Sequence, residues 1–126
     1  MLELCDLVKL YPVGEGDPVH AVDGVSLTVA AGELVALYGP SGSGKTTLLM
    51  MAAALLAPDS GAVLVDGRKI SSLSAAQSAR YRLHELGYVR QSLELIPGAS
   101  AGQRCAEAVG GGRHSARGHT RGGAAA

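Results

Sequence analysis

The stretch that decides the fold of this chain is Gly39-Pro40-Ser41-Gly42-Ser43-Gly44-Lys45-Thr46-Thr47. It matches the phosphate-binding pattern G-x-x-x-x-G-K-[ST] at every fixed position. Its three glycines let the backbone curl so that successive N–H groups point inward around an anion. Lys45 adds a positive charge for the β- and γ-phosphates, Thr46 offers a hydroxyl to Mg²⁺, and the helix that follows points the positive end of its dipole at the anion. The stretch therefore predicts a phosphate-loop nucleotide binder.

The segments on either side of this loop predict a strand and a helix, which is the context that the motif requires. Residues 34–38 form a short apolar run that predicts a buried parallel strand. Residues 46–56 contain no Gly or Pro and are rich in Leu, Met and Ala, so they predict a helix that ends before Pro58.

Length and composition allow a single domain with a modest core in these 126 residues. Cys5 and Cys105 stand in no metal-binding or disulfide spacing, which favours a reducing cytoplasmic setting. The residues after Met1 do not have the pattern of a secretory signal. The longest apolar run, residues 48–57, is about half the ~20 residues needed to cross a bilayer. We therefore expect any membrane contact of this chain to go through a partner.

Several short strands are predicted before the loop. Residues 2–11 are largely apolar and predict a first strand, and residues 12–18 predict a turn or loop. Residues 19–22 and 25–29 predict two short strands joined through Asp23-Gly24. Strands joined by tight turns in this way predict a small antiparallel sheet beside the parallel core.

After the loop helix, the pattern predicts a hairpin, a second helix and one more strand. Residues 62–65 and 68–70 flank Asp66-Gly67, a hairpin signal. Ser74 and Gln77 have the spacing of a capping box and predict a helix that ends at about His84 or Glu85. Residues 87–91 predict a strand that ends at the edge of the sheet where ligands bind in such folds.

The composition changes at residue 101. Residues 101–126 hold seven Gly, seven Ala and four Arg, with Val109 as their only large aliphatic residue. Such a segment buries too little apolar surface to offset its ordering entropy, so we expect a disordered tail after a domain of residues 1–100. The charge divides at the same place, since residues 1–100 carry 7 basic and 10 acidic side chains and the tail carries 4 Arg and 1 Glu.

These pieces together resemble the ATP-binding domain of ABC transporters over residues 1 to about 100. The resemblance rests on Tyr11 after the first strand, on the loop itself, and on five further segments: residues 21–27, 31–33, 58–61, 65–67 and 87–91. Residues 91–97, Gln-Ser-Leu-Glu-Leu-Ile-Pro, are similar to the branch that exports macrolides and lipoproteins. The resemblance implies an α/β fold with a partial parallel sheet, helices and a small antiparallel β subdomain of ABC type.

The resemblance also implies functional roles. It places Tyr11 where the family stacks an aromatic ring on adenine, and residues 39–47 around the phosphates and Mg²⁺ of ATP. Gln91 matches the glutamine that touches Mg²⁺ and the attacking water, and whose loop meets the membrane subunits. The implied partners are a membrane-spanning transporter subunit and a second ATP-binding domain in a dimer. The implied location is the cytoplasmic face of the plasma membrane, reached through that partner.

Residues beyond Gln91 depart from the family pattern. Family members have a Leu-Ser-Gly-Gly-Gln-type signature, an apolar strand that ends in Asp-Glu, and a switch His, and none of these is found after Gln91. The last Asp is Asp66, and His114 and His119 lie in the Gly-rich tail. We therefore expect a truncated ATP-binding subunit whose tail comes from a lost reading frame, as in a pseudogene product or a sequencing artefact.

Two other functions compete with this interpretation. A complete small phosphate-loop kinase or NTPase requires Asp66, which follows an apolar strand, to hold Mg²⁺, but Asp66-Gly67 more strongly predicts a hairpin turn. Nucleic-acid binding by the Arg- and Gly-containing tail is disfavoured because the tail has no aromatic side chain on which bases stack. Neither alternative displaces the expectation of an ATP-binding module.

Overall fold

Four strands and two helices make up the part of the chain that the computed structural model describes, residues 1–89. In chain order they are β1 (Leu2–Tyr11), β2 (Val19–Val29), α1 (Lys45–Ala52), β3 (Ser60–Val65), β4 (Arg68–Lys69) and α2 (Ala75–Glu85). The strands form one sheet in the order β2-β1-β3-β4, and every neighbouring pair is antiparallel. Over the described range, neither helix has the length and hydropathy of a membrane span.

β1 lies at the centre of the sheet, and an irregularity at Asp6 sets which of its side chains face the core. Simple alternation along a strand turns the side chains of Leu4 and Leu7 to opposite faces. Asp6 has a φ of 46°, and the pairing of β1 with β2 shifts between Leu4 and Leu7. As a result both leucines are buried, with 3% and 0% of their surface exposed. The Asp6 N–H donates to Ser26 Oγ at 2.9 Å, which holds the irregular residue in place.

A single cluster of buried side chains joins the sheet to both helices. α1 contributes Leu48 and Met51, and α2 contributes Tyr81. The remaining members come from the strands and the turn after β4: Leu4, Leu7, Val22, Val63 and Ile70. The phosphate-loop helix is therefore fixed against the sheet by two large apolar side chains.

The first strand, the hairpin and the second helix form as the sequence predicts. Asp66 and Gly67 make the turn between β3 and β4 with φ values of 48° and 75°. Ser74 caps α2: its N–H donates to Gln77 Oε1 at 2.9 Å, and the Gln77 N–H donates to Ser74 Oγ at 3.3 Å. This reciprocal pair is the capping box expected from the spacing.

The prediction of a buried parallel strand at residues 34–38 is wrong. No strand forms there, and Leu34 and Tyr38 are 96% and 92% exposed. A strand needs a neighbour to pair its backbone N–H and C=O groups. No strand in residues 1–89 lies beside this segment, because the sheet pairs β1 to β4 only with one another. The observed sheet thus corresponds to the antiparallel subdomain of the predicted fold, without a parallel strand in the described part.

Three further boundaries differ from the predictions. β2 is one strand from Val19 to Val29, since Asp23-Gly24 shifts its register instead of breaking it. α1 ends at Ala52, short of residue 56, because Ala54 adopts a φ of 50° and the N–H groups of Leu55 and Leu56 both donate to the Met50 carbonyl. Residues 87–89 are not in a strand, and the rest of that predicted strand lies outside the described residues.

Candidate nucleotide-binding site

Residues 39–44 form a turn that leads directly into α1, and residues 45–47 of the loop motif are the first three residues of that helix. Gly42 and Gly44 have φ values of 79° and 81°, a backbone conformation that favours glycine. The Ser43 N–H donates to the Pro40 carbonyl at 3.3 Å and closes the turn. Gly44 is the N-cap of α1 and supplies no side-chain cap, and the first turn of the helix holds no acidic residue. The amide groups at the start of α1 have no side-chain cap among residues 1–89 and point toward a place where an anion can bind, and no carboxylate in the first turn of α1 opposes the helix dipole.

Lys45 places its ammonium group inside this turn. Lys45 Nζ donates to the carbonyl oxygens of Gly39 and Pro40, at 2.9 and 2.6 Å, and to Ser43 Oγ at 3.0 Å. These acceptors are neutral, and the ion pairs found in residues 1–89 do not involve Lys45. The Lys45 ammonium therefore forms no ion pair with a carboxylate of the described residues. A phosphate group is the kind of ligand that such a charge attracts.

A close backbone contact fixes the loop to β2. A Cβ atom added to Gly44 would lie 1.9 Å from the carbonyl oxygen of Ala21 and 3.5 Å from Val22 Cγ2. Ala21 occupies a special place in β2, because the pairing with β1 steps from Lys9–Val22 to Leu10–His20 and skips it. The extra residue turns its carbonyl against the start of α1. Only glycine at position 44 allows this approach.

Within residues 1–89, two open cavities border the loop. The larger, about 440 Å³, is lined by residues of both β2 and the loop, among them His20, Asp23, Tyr38 and Lys45. The smaller, about 160 Å³, is lined by residues 42–47 and by Ala21. Ala21, a residue of β2, thus lines both cavities and is the place where the antiparallel sheet meets the phosphate loop. The larger cavity is within the usual size range of small-molecule sites.

The structure brings some of the predicted site residues together. All nine residues of the loop are described, and Gly42 to Thr47 line the smaller cavity. Tyr11 lies at the end of β1 opposite Val19, is 39% exposed, and lines neither cavity. Gln91 lies outside the described residues, so its predicted contacts with Mg²⁺ and water stay predictions. The same holds for the tail after residue 100.

Asp66 takes the turn role and is not placed as a metal ligand of the loop. Its carboxylate accepts a hydrogen bond from the amino group of Met1 and is 78% exposed, and it lines neither cavity beside the loop. Within residues 1–89, no group of three or more His, Cys, Asp and Glu side chains is placed to hold a metal ion. The kinase alternative, which depends on Asp66, is therefore not supported.

Sequence reasoning missed Ala21 as part of the site. An alanine within an apolar strand carries no chemical signal of its own. Its role comes from the register of β2 on β1 and from the packing of α1, and neither is visible in residue spacing. Gly44 was predicted only as a flexible point of the loop, whereas the structure shows that it is also a packing contact.

A glycine turn with an enclosed lysine at the N-terminus of a helix defines the phosphate-loop class of nucleotide-binding proteins. Within that class, the family model described as ABC transporter matches residues 22–121. The match covers most of the chain, so the protein belongs to the ABC transporter family. The phosphate loop is the part of this chain that corresponds to nucleotide binding in the family.

Curated relatives carry names that agree with this family. The chain is 41% identical over 97 residues to the lipoprotein-releasing system ATP-binding protein LolD 1 of Rhodopirellula baltica, covering 77% of this chain and 42% of that protein. It is 42% identical over 101 residues to an uncharacterized ABC transporter ATP-binding protein of Thermotoga maritima, covering 80% of this chain and 43% of that protein. The chain therefore spans less than half the length of these relatives.

A solved structure gives the same result for the fold. The ATP-binding cassette MJ0796, in a dimeric post-hydrolysis state with ADP and Pi, superposes with a TM-score of 0.78 at 35% sequence identity. The superposition covers 82% of this chain and 44% of that chain. The predicted α/β fold of ABC type is thereby confirmed.

Proposed function

We propose that this chain binds Mg·ATP through residues 39–47 and serves as the nucleotide-binding part of an ABC transporter. The observation that carries the proposal is the position of the Lys45 ammonium, which lies inside the glycine turn and forms no ion pair with a described carboxylate. Bound phosphate oxygens are stronger acceptors for this group than the neutral oxygens that it contacts here.

The register of the sheet supports a role for Tyr11 in binding the base. Tyr11 is opposite Val19, and Val19 is two residues before Ala21, whose carbonyl touches the loop. Two residues of strand span about 7 Å, and paired Cα atoms lie about 5 Å apart, so the backbone of Tyr11 is within roughly 10 Å of Ala21. This separation is on the scale of one nucleoside. A half-exposed tyrosine ring at that place is suited to stacking on adenine.

Mg²⁺ fits the chemistry of the loop when it arrives with the nucleotide. Thr46 is exposed in the first turn of α1 and lines the smaller cavity, so its hydroxyl is available as one oxygen ligand. Mg²⁺ commonly takes one or two protein oxygens together with phosphate oxygens and water. The ion supplies positive charge that neutralises the phosphates. Gln91 is proposed as a further Mg²⁺ ligand and as the residue that orients the attacking water.

The partners proposed for the chain follow from the names of its relatives. LolD 1 is named as the ATP-binding protein of a lipoprotein-releasing system, and the MJ0796 cassette is described as dimeric. We propose that this protein likewise works with a membrane-spanning subunit and a second ATP-binding domain, at the cytoplasmic face of the plasma membrane. We also propose that ATP binding by this protein is coupled to the export of a lipophilic substrate.

Titration of the 126-residue protein with Mg·ATP tests the binding proposal. We expect Lys45→Ala to weaken binding at least about tenfold, because charge-assisted hydrogen bonds contribute roughly 1.5–3 kcal/mol each. Lys69→Ala is the matched control, since Lys69 is an exposed lysine on β4 and is far from the loop in the sheet order. Circular dichroism shows whether each variant is folded. Equal ATP affinity for folded wild type and folded Lys45→Ala would contradict the proposal.

A further inference from the structure

A second charged cluster lies at the end of β1, next to Tyr11. Lys9 and Tyr11 are two residues apart on β1, so their side chains lie on the same face of the sheet. The Lys9 ammonium lies over the Tyr11 ring, with Nζ 6.0 Å from the ring centroid. This separation is at the outer limit of a cation–π contact. One face of the ring is thus next to a cation, while the residue as a whole stays 39% exposed.

Asp59 holds both the lysine and the backbone beside the ring. Lys9 Nζ donates to Asp59 Oδ1 at 2.8 Å, and the Leu10 N–H donates to Asp59 Oδ2 at 2.7 Å. The Asp59 N–H in turn donates to the Val8 carbonyl at 2.9 Å. Asp59 therefore makes three hydrogen bonds, two accepted and one donated, that fix the last residues of strand β1 just before Tyr11. The Lys9 side chain is only 14% exposed, so its ammonium has little freedom to leave this position.

We propose that Lys9 and Asp59 are positioning residues that hold the Tyr11 ring ready to receive the base of the nucleotide on its other face. This inference rests on the proposed role of Tyr11 and extends it to two residues that need not touch the nucleotide. A ring already fixed by a neighbouring cation loses less side-chain freedom when a ligand stacks on it. The carboxylate of Asp59 keeps the ammonium over the ring and neutralises its charge within the cluster.

Two ligands separate this effect from general damage to the site. ATP contacts both the phosphate loop and the proposed base platform, whereas inorganic tripolyphosphate offers only the phosphates. We expect Lys9→Met, which keeps an apolar chain of similar length, to weaken Mg·ATP binding about three- to tenfold. Tripolyphosphate affinity should stay within about twofold of wild type. Lys9→Arg should retain most of the ATP affinity, since guanidinium also pairs with carboxylates and contacts aromatic rings.

Lys69→Met is the matched control, because it makes the same substitution at an exposed position on β4, at the opposite end of the sheet from β2. Asp59→Asn is a second variant with a nearly unchanged shape, and it should lower ATP affinity selectively as well. In a Tyr11→Ala background, Lys9→Met should have no further effect on ATP, which is the coupling expected of a residue that acts through the ring.

Each outcome decides a separate point. The positioning role would be overturned if Lys9→Met lost affinity for ATP and tripolyphosphate equally, or lost affinity for neither. It would also be overturned if Lys9→Met kept its full effect on ATP binding in the Tyr11→Ala background. A wild-type chain that binds both ligands equally would overturn the role of Tyr11 and this inference with it. A folded wild-type chain that binds neither ligand would overturn the proposed function of the loop itself.

Discussion

The contact between Gly44 and Ala21 leads to a strong prediction about stability. A methyl group at position 44 would lie 1.9 Å from the Ala21 carbonyl oxygen and 3.0 Å from its carbon, and both belong to the backbone of a paired strand. We therefore expect Gly44→Ala to push β2 and α1 apart. Two terms add: a positive φ in a residue with a side chain costs about 1–2 kcal/mol, and forced overpacking costs about 1–3 kcal/mol. The sum is roughly 2–5 kcal/mol of unfolding free energy.

Gly42→Ala provides a closely matched control two residues away. Gly42 has a φ of 79°, nearly the same as the 81° of Gly44, but apart from its two chain neighbours no atom of residues 1–89 lies within 4 Å of its added Cβ. It should lose only the backbone term of about 1–2 kcal/mol. The difference between the two variants therefore measures the contact of the loop with the sheet, without the common effect of replacing a glycine at positive φ.

Urea unfolding of the two variants, followed by circular dichroism, is the assay. With a denaturant slope of about 1–3 kcal/mol/M for a small domain, an extra loss of about 2 kcal/mol lowers the midpoint by roughly 1 M. The Gly44→Ala midpoint should therefore lie clearly below that of Gly42→Ala. If the two midpoints coincided, β2 would be able to move away from position 44 without any loss of unfolding free energy. That result would refute the reasoning about Ala21.

Two more predictions concern the end of α1 and the pH dependence of stability. Ala54 has a φ of 50°, so Ala54→Gly should raise the melting temperature by a few degrees, about 0.5–1 kcal/mol, whereas Ala53→Gly, at a φ of −86°, should lower it. The hydrogen bond from Lys9, and then that from the Leu10 N–H, hold the pKa of Asp59 below its usual value. A depressed folded-state pKa stabilises the protein above about pH 4, and this contribution is lost as the pH falls further. Wild type should thus lose more stability in urea titrations between about pH 5 and pH 2 than Asp59→Asn does; parallel pH profiles would contradict the assignment.

Local patterns predicted the elements whose partners are near in sequence. The Ser74 and Gln77 capping box and the Asp66-Gly67 turn depend on residues at most a few positions apart, and both form as expected. The parallel strand predicted at residues 34–38 is absent because it depends on neighbouring strands that residues 1–89 do not provide. An apolar run indicates that a segment is suited to burial, but the run cannot supply the strand that pairs with it.

The sequence of residues 39–47 was enough by itself to define the phosphate loop. Its glycines, lysine and threonine act through geometry and charge over a short range, so no distant part of the chain is needed to recognise them. The way this loop is attached to the protein came only from the folded chain. The carbonyl of Ala21 meets Gly44 because β2 shifts its register against β1, and Asp59 reaches Lys9 across a separation of 50 residues. Contacts between distant parts of a chain depend on strand pairing and close packing, and these arise from the whole sheet and not from any local pattern.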